Sequence, residues 1–406
     1  ATLTFSGTPK GGYIRSVTPS PQAVTVRQHH SFVRLPDDNY TPREFDPRSG
    51  YNAMSFMDYA SPINADIRTR YIPRHRLKKK DPNASISEAI EPIIYYVDRG
   101  APEPVKAALI EGASWWNQAF EAAGYKNAFI VKEMPADADP MDVRYNLIQW
   151  VHRSTRGWSY GASVRDPRTG EIIKGHVSLG SLRVRQDYLI AQGLFSPFAD
   201  GNDDSKLMEL AIARLKQLSA HEVGHTLGIS HNFASSTNDR SSVMDYPHPI
   251  VDLVNGQMNI DNVYDDKIGL WDKQVIKYGY SDFPSGKDEH ASLQAILKES
   301  HDMGLRYISD RDARAQGGAH PEGHLWDNGE NSIEELGRLS EVRKQAIEQF
   351  GMGSLPDGQP MAMMENVFVP LYLSQRYQVE AVSKLIGGMH YDYAIKGDAY
   401  HPLEVG

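Results

Sequence analysis

The chain of 406 residues is long enough for one large domain or two to three modest ones, and its 40% hydrophobic content supports a real core. A formal net charge of −9 gives no electrostatic reason to expect nucleic acid, and no apolar run approaches the length of a membrane span. Cysteine is absent, so no disulfide forms; that says little about compartment, because exported bacterial proteins often lack disulfides. The chain starts at Ala1 with no signal-like segment, so it reads as a mature or excised piece.

In chain order, residues 1–60 hold short β-like pieces, at 2–5 and 23–26, with Gly, Pro and Ser between them. They are too few for a core of their own, and residues 1–79 read as a β-rich segment plus linker. The basic run at 74–80 precedes a proline and reads as a solvated connector. A central domain is expected over 80–250. It should hold a strand at 92–97, an amphipathic helix at 104–123 with Trp115 and Trp116 in the core, and strands at 127–132 and 146–151. The turn Asp166-Pro167-Arg168-Thr169-Gly170 should join strands at 161–165 and 172–179. Residues 205–227 carry Leu207, Leu210, Ala211, Leu215 and Leu218 at helical spacing, with Asp203, Asp204 or Ser205 as the cap. From 251 to 406 the chain should be mainly helical, at 265–278, 291–303, 332–350 and 364–386. The predicted class is therefore α+β. His320 and His324 are four apart, but Pro321 and Gly323 oppose a shared helical face. Asp200, Asp203 and Asp204 are acidic enough for calcium, yet nothing else supports a calcium site and capping is the simpler reading.

The chemistry sits in HEVGHTLGISH, residues 221–231. His221 and His225 are i and i+4 on the predicted helix, so both rings leave one face. Glu222 stands beside them rather than among them. Gly228 supplies the left-handed residue that ends a helix, and His231 returns as a third imidazole. Three protein nitrogens with one position open is the layout of a catalytic zinc site. Zinc brings the pKa of bound water towards neutrality, and Glu222 is placed to act as general base. Five fixed positions recur by chance at a probability on the order of 10⁻⁴.

The motif resembles that of the metzincin clan of zinc metallopeptidases. SVMDYP at 242–247 is similar to the Met-turn, which implies that Met244 floors the metal site. The resemblance also implies that Tyr246 approaches the metal and stabilises an oxyanion. It implies a twisted mixed sheet with an antiparallel edge strand, a long helix and an active-site helix. Gly161, Ala162, Ser163 and Val164 would then form the edge strand that binds an extended peptide. FDPRSGY at 45–51, WDNG at 326–329 and RYQVEA at 376–381 look like segments of the large zinc-dependent metalloproteases of Bacteroidetes-type bacteria. That likeness implies an exported protein, at the periplasm, cell surface or outside the cell.

The leading expectation is a zinc endopeptidase with one catalytic Zn²⁺ and peptide or protein substrates. Its rivals are a zinc amidase on cell-wall peptides and a binding or scaffold module with a structural zinc; Glu222 counts against the last, since a structural site does not need it. Nothing in the sequence fixes an oligomeric state. His248 reads as cleft wall. Pro47-Arg48-Ser49-Gly50 lacks the cysteine of a thiolate latency switch. Asp46 either blocks the metal or, as the simpler reading, anchors the N-terminal segment with Arg48.

Overall fold

The computed structural model describes residues 1–153, 157–199, 204–398 and 404–405. They form two compact units, Ala1–Asp38 and Asn39–Gly406. The smaller holds an antiparallel pair, Thr2–Ser6 with Ala23–Arg27, and one short helix, Gly12–Val17, with its side chains largely exposed. Residues 39–79 are built into the larger unit. Arg43 explains part of this: its buried guanidinium donates to the carbonyls of Tyr278 (2.6 Å) and Ser281 (3.0 Å) and to Glu289. The basic run is a correction. Arg74, His75, Leu77 and Lys79 are buried, not solvated. Lys79 Nζ donates to the carbonyls of Ala84 and Ser85, and Arg76 pairs with Glu171.

The larger unit begins its sheet with β1 (Ile93–Val97), followed by helices α1 (Val105–Ser114) and α2 (Trp116–Ala122). The predicted single helix is thus broken at Trp115, but both tryptophans are buried as expected. Then come β2 (Phe129–Glu133), β3 (Asn146–Val151), β4 (Tyr160–Arg165) and β5 (Ile172–Gly180). The sheet order is β4-β5-β3-β1-β2, parallel except for β4, which runs antiparallel to β5 at the edge. Strands β1, β3 and β5 carry buried Ile, Val, Leu and Tyr, as interior strands of a covered sheet do.

After β5 an unpredicted helix, α3 (Leu182–Phe195), leads to α4 (Ser205–Thr226). Helix α4 is buried along most of its length and crosses α1 at close range. A Cβ on Gly112 would lie 2.0 Å from the Lys216 carbonyl oxygen, so only glycine allows this approach. Ser219 Oγ donates to the Leu109 carbonyl and Trp116 Nε1 to the Ala220 carbonyl, which satisfies polar groups that the crossing buries. Asp200 and Asp203 lie outside the described residues. Asp204 precedes α4 but accepts from Tyr188 Oη at 3.1 Å instead of capping the helix with its side chain.

The remaining helices are α5 (Leu270–Tyr280), α6 (Glu289–Asp302), the single turn α7 (Asp310–Ala313), α8 (Ser332–Gln349), α9 (Met364–Tyr372) and α10 (Arg376–Ser383). Val342 and Ala346 of α8 and Leu371 of α9 pack in a second buried cluster with Leu207 and Leu210 of α4, whereas α5 and α6 join the main core. Trp271, Val275, Ile276, Tyr280, Leu293 and Leu297 belong to the same buried cluster as Trp116, Phe120 and Tyr95. Among the described residues, no helix is long and apolar enough to cross a membrane.

Candidate functional site

Helix α4 delivers Glu222 and His225 to the floor of a cleft of about 290 Å³ beside the edge strand, with His221 buried next to them. The helix ends at Thr226, and Gly228 takes φ +96°, as the motif predicts. A Cβ there would also meet the Pro73 carbonyl oxygen at 2.3 Å. The turn brings His231 back. His225 Nε2 lies 3.2 Å from His221 Nε2 and 3.0 Å from His231 Nε2.

The proton inventory of the three rings decides what they fit. His221 Nδ1 donates to the Val243 carbonyl (2.8 Å) and His225 Nδ1 to the Ile229 carbonyl (2.9 Å), since a carbonyl only accepts. His231 Nδ1 meets Asp310 Oδ2 at 2.6 Å. Burial, reinforced by the neighbouring imidazoles, holds His221 well below the usual histidine range and brings His225 down to about 4, so these rings are neutral. A neutral ring that carries its proton on Nδ1 has a bare lone pair on Nε2. His225 Nε2 lies about 3 Å from both other Nε2 atoms, and ring nitrogens turned towards one another at that distance repel unless a cation lies between them. Zinc–nitrogen bonds of about 2.0–2.1 Å in tetrahedral geometry put ligand nitrogens about 3.3 Å apart. The three residues therefore fit a zinc ion.

Glu222 is buried, lines the cleft, and has one carboxylate oxygen with no hydrogen-bond partner among the described residues. Burial pushes its carboxyl up to about 8, against the pull of the Arg214 guanidinium and the Gly161 N–H. A dication held by the imidazoles would draw it back down. Met244 is fully buried beneath α4. A Cβ built on Gly224 would lie 2.2 Å from its sulfur and 2.7 Å from Trp116. The turn that carries Met244 is tied to α5: Asp272 accepts from the Ser242 hydroxyl (2.6 Å) and the Val243 N–H (2.9 Å). Tyr246 lines the cleft with its ring centroid 4.6 Å from that of His231 and 5.4 Å from that of His221.

On the edge strand, Tyr160 and Gly161 line the cleft, while Ala162, Ser163 and Val164 continue along the edge. Gly161 is fixed by proximity: a Cβ would lie 2.1 Å from the Glu222 carbonyl oxygen. Gly161→Ala is expected to force β4 off α4 and to cost about 1–3 kcal/mol, the usual range for overpacking. Urea unfolding of the metal-free chain measures it, and an unchanged midpoint would show that strand and helix separate freely.

Several partners of the site lie far away in sequence. Asn52 N–H donates to the Gly228 carbonyl, and Ser230 donates through N–H and hydroxyl to the Gly50 carbonyl, each at 2.9 Å. The loop before His231 is thus clamped to residues 50–52. From the other side, Ile308 N–H donates to Asn232 Oδ1, and Asn232 Nδ2 to the Arg306 carbonyl. The Trp326 ring lies tilted against Tyr246 with centroids 5.0 Å apart, and its backbone N–H donates to the Tyr246 carbonyl. Asp327 lies beside buried Asp245, and burial together with that neighbour holds the Asp245 carboxyl well above the ordinary carboxylate range. Asn328 N–H donates to Gln378, so WDNG and RYQVEA meet behind Tyr246.

Asp46 is held by Arg48 through Nε (2.9 Å), Nη2 (2.6 Å) and the backbone N–H. Arg48 also reaches Gln294 and Asp398, which matches anchoring rather than metal blockade. His248 is absent from the residues lining the cleft, contrary to expectation; its Nδ1 faces the Pro249 carbonyl and its own carbonyl accepts from Asn328. His320 groups with Glu322 and His390 rather than with His324. Both its ring nitrogens are engaged, one with the Tyr391 carbonyl and one by the Glu322 N–H, and Arg306 sits on Glu322.

The family model described as Met-zincin matches residues 203–405, half of the chain. A second model, a domain of unknown function (DUF5117), matches residues 1–80. No curated protein and no solved structure matches the chain. With its matched half carrying all three converging imidazoles, the chain belongs to the Met-zincin family and so to the zinc metallopeptidases.

Proposed function

We propose that this metallopeptidase is an endopeptidase with one zinc held by His221, His225 and His231. The observation that carries the reading is the convergence of three Nδ1-protonated imidazoles beside a buried carboxylate that is short of one partner. Zinc, when bound there, supplies Lewis acidity and an acidified water. Glu222 takes a proton from the attacking water and passes it to the leaving amine. Its burial and its nearness to the Gly161 N–H keep it in one pose. Tyr246 donates its hydroxyl to the developing oxyanion. Met244 and Trp116 fill the space under α4, so the helix cannot sink away from the cleft. The substrate lies extended along β4 and adds a strand to its free edge, with Gly161, Ala162, Ser163 and Val164 opposite its backbone.

The test is cleavage of an unfolded substrate protein. Internal fragments should appear, vanish with a chelator and return with added zinc. Cleavage of cell-wall peptide amides alone would make the protein an amidase. Zinc binding without cleavage of either substrate would leave a binding module.

A further inference from the structure

We infer that Asp310 is a positioning residue for the third imidazole, holding His231 in its Nδ1–H form with Nε2 turned towards the metal. The inference rests on the ligand set proposed above. The three rings are held differently. His221 and His225 stand on α4 and give their Nδ1 protons to backbone carbonyls nearby, at Val243 and Ile229. His231 lies in a loop with no helix beneath it. Its Nδ1 proton goes to a carboxylate 79 residues further on, at 2.6 Å, the shortest of the three contacts. A carboxylate acceptor makes a stronger hydrogen bond than a carbonyl. It also fixes ring tautomer and rotation and makes the opposite nitrogen a better donor to a metal.

Asp310 is itself held in place. Arg314, one turn on, donates to its other oxygen at 3.0 Å and lies 5.9 Å from the Tyr246 ring. The turn before it is pinned by Tyr393, whose hydroxyl accepts from the Ser309 N–H. Tyr391 and Tyr393 both donate to Asp312 in the same turn, at 2.7 and 2.6 Å. A surface aspartate that merely paired with Arg314 would need none of this alignment with His231.

The experiment measures zinc affinity of the full chain by competition with a chromophoric chelator. Asp310→Ala should weaken binding about 10–100-fold, the usual effect of losing such an outer partner. Asp310→Asn keeps an acceptor oxygen and should recover most of that loss. Visible spectra of the cobalt-loaded chains should shift for Asp310→Ala. Urea midpoints of the metal-free chains should coincide, since the Asp310 side chain is 43% exposed. Should Asp310→Ala fail to fold, Asp310→Asn still tests the idea through its near-native affinity. Wild-type affinity and an unshifted spectrum in Asp310→Ala overturn the inference, as does an Asn variant no better than Ala. His231→Ala separates the two levels. If it loses zinc while Asp310→Ala does not, only the positioning role fails. If it keeps zinc, the ligand set fails and the inference with it.

Discussion

Glu222→Ala is expected to keep a full equivalent of zinc and to lose hydrolysis by about 10²–10⁴-fold, the range for removing a general base. The two effects separate because Glu222 is not one of the three converging imidazoles. Its side chain is buried beside them and lines the cleft, and one of its oxygens has no hydrogen-bond partner among the described residues. Alanine removes the carboxylate and leaves the rings and their Nδ1 acceptors at Val243, Ile229 and Asp310 intact. Metal analysis and turnover on one preparation check both halves. Turnover at the wild-type rate would assign the base to another group. Tyr246→Phe should fall less, by about 10²-fold, because it removes one oxyanion donor. Its ring contacts with Trp326, Phe233 and His231 survive the loss of the hydroxyl, so stability should hold.

His231→Ala is expected to strip the metal. It leaves two imidazoles, a set that does not make a zinc site of the usual strength. The loss should exceed the 10–100-fold cost of an outer partner. Dialysis followed by metal analysis reads it directly. A thermal scan reads it again: zinc at about 1,000 times its Kd stabilises the wild type by about 4 kcal/mol, and the variant should show no such shift. A full equivalent of zinc retained after dialysis would exclude His231 as a ligand.

What the sequence disclosed was the part of the site that is local. His221 and His225 are related by helical period, Gly228 by its backbone demand, and His231 by a short turn, so one stretch of eleven letters carries them all. The strands at 93–97 and 146–151 showed through their apolar and aromatic content, and the strand at 172–180 through the turn signal at 166–170 before it. Asp310 did not show. SDRDAR looks like any charged surface turn, and its tie to His231 exists only once the chain has folded back. The carbonyl by which Gly50 holds Ser230 was equally silent, since every residue owns one, and the Asn52 side-chain amide finds the Gly228 and Ile229 carbonyls only once the chain has folded. Helix α3 was missed because Asp187 and Gln192 lie on its buried side. Asp187 pairs with Arg183 and Gln192 donates to the Ser354 carbonyl, so these polar letters break the periodicity without breaking the helix.

The clamp on the His231 loop sets an order of events during folding. The first two imidazoles come with a helix, which forms from neighbours in sequence. The third is held only when Gly50, 180 residues before Ser230, and Asp310, 79 residues after His231, have both arrived. Closing such long loops is slow relative to helix formation. A nascent or partly folded chain therefore offers the metal two nitrogens but not three. The three-nitrogen site is then completed late, with the fold itself, and an unfinished copy does not yet carry the full set that would let it attack its neighbours.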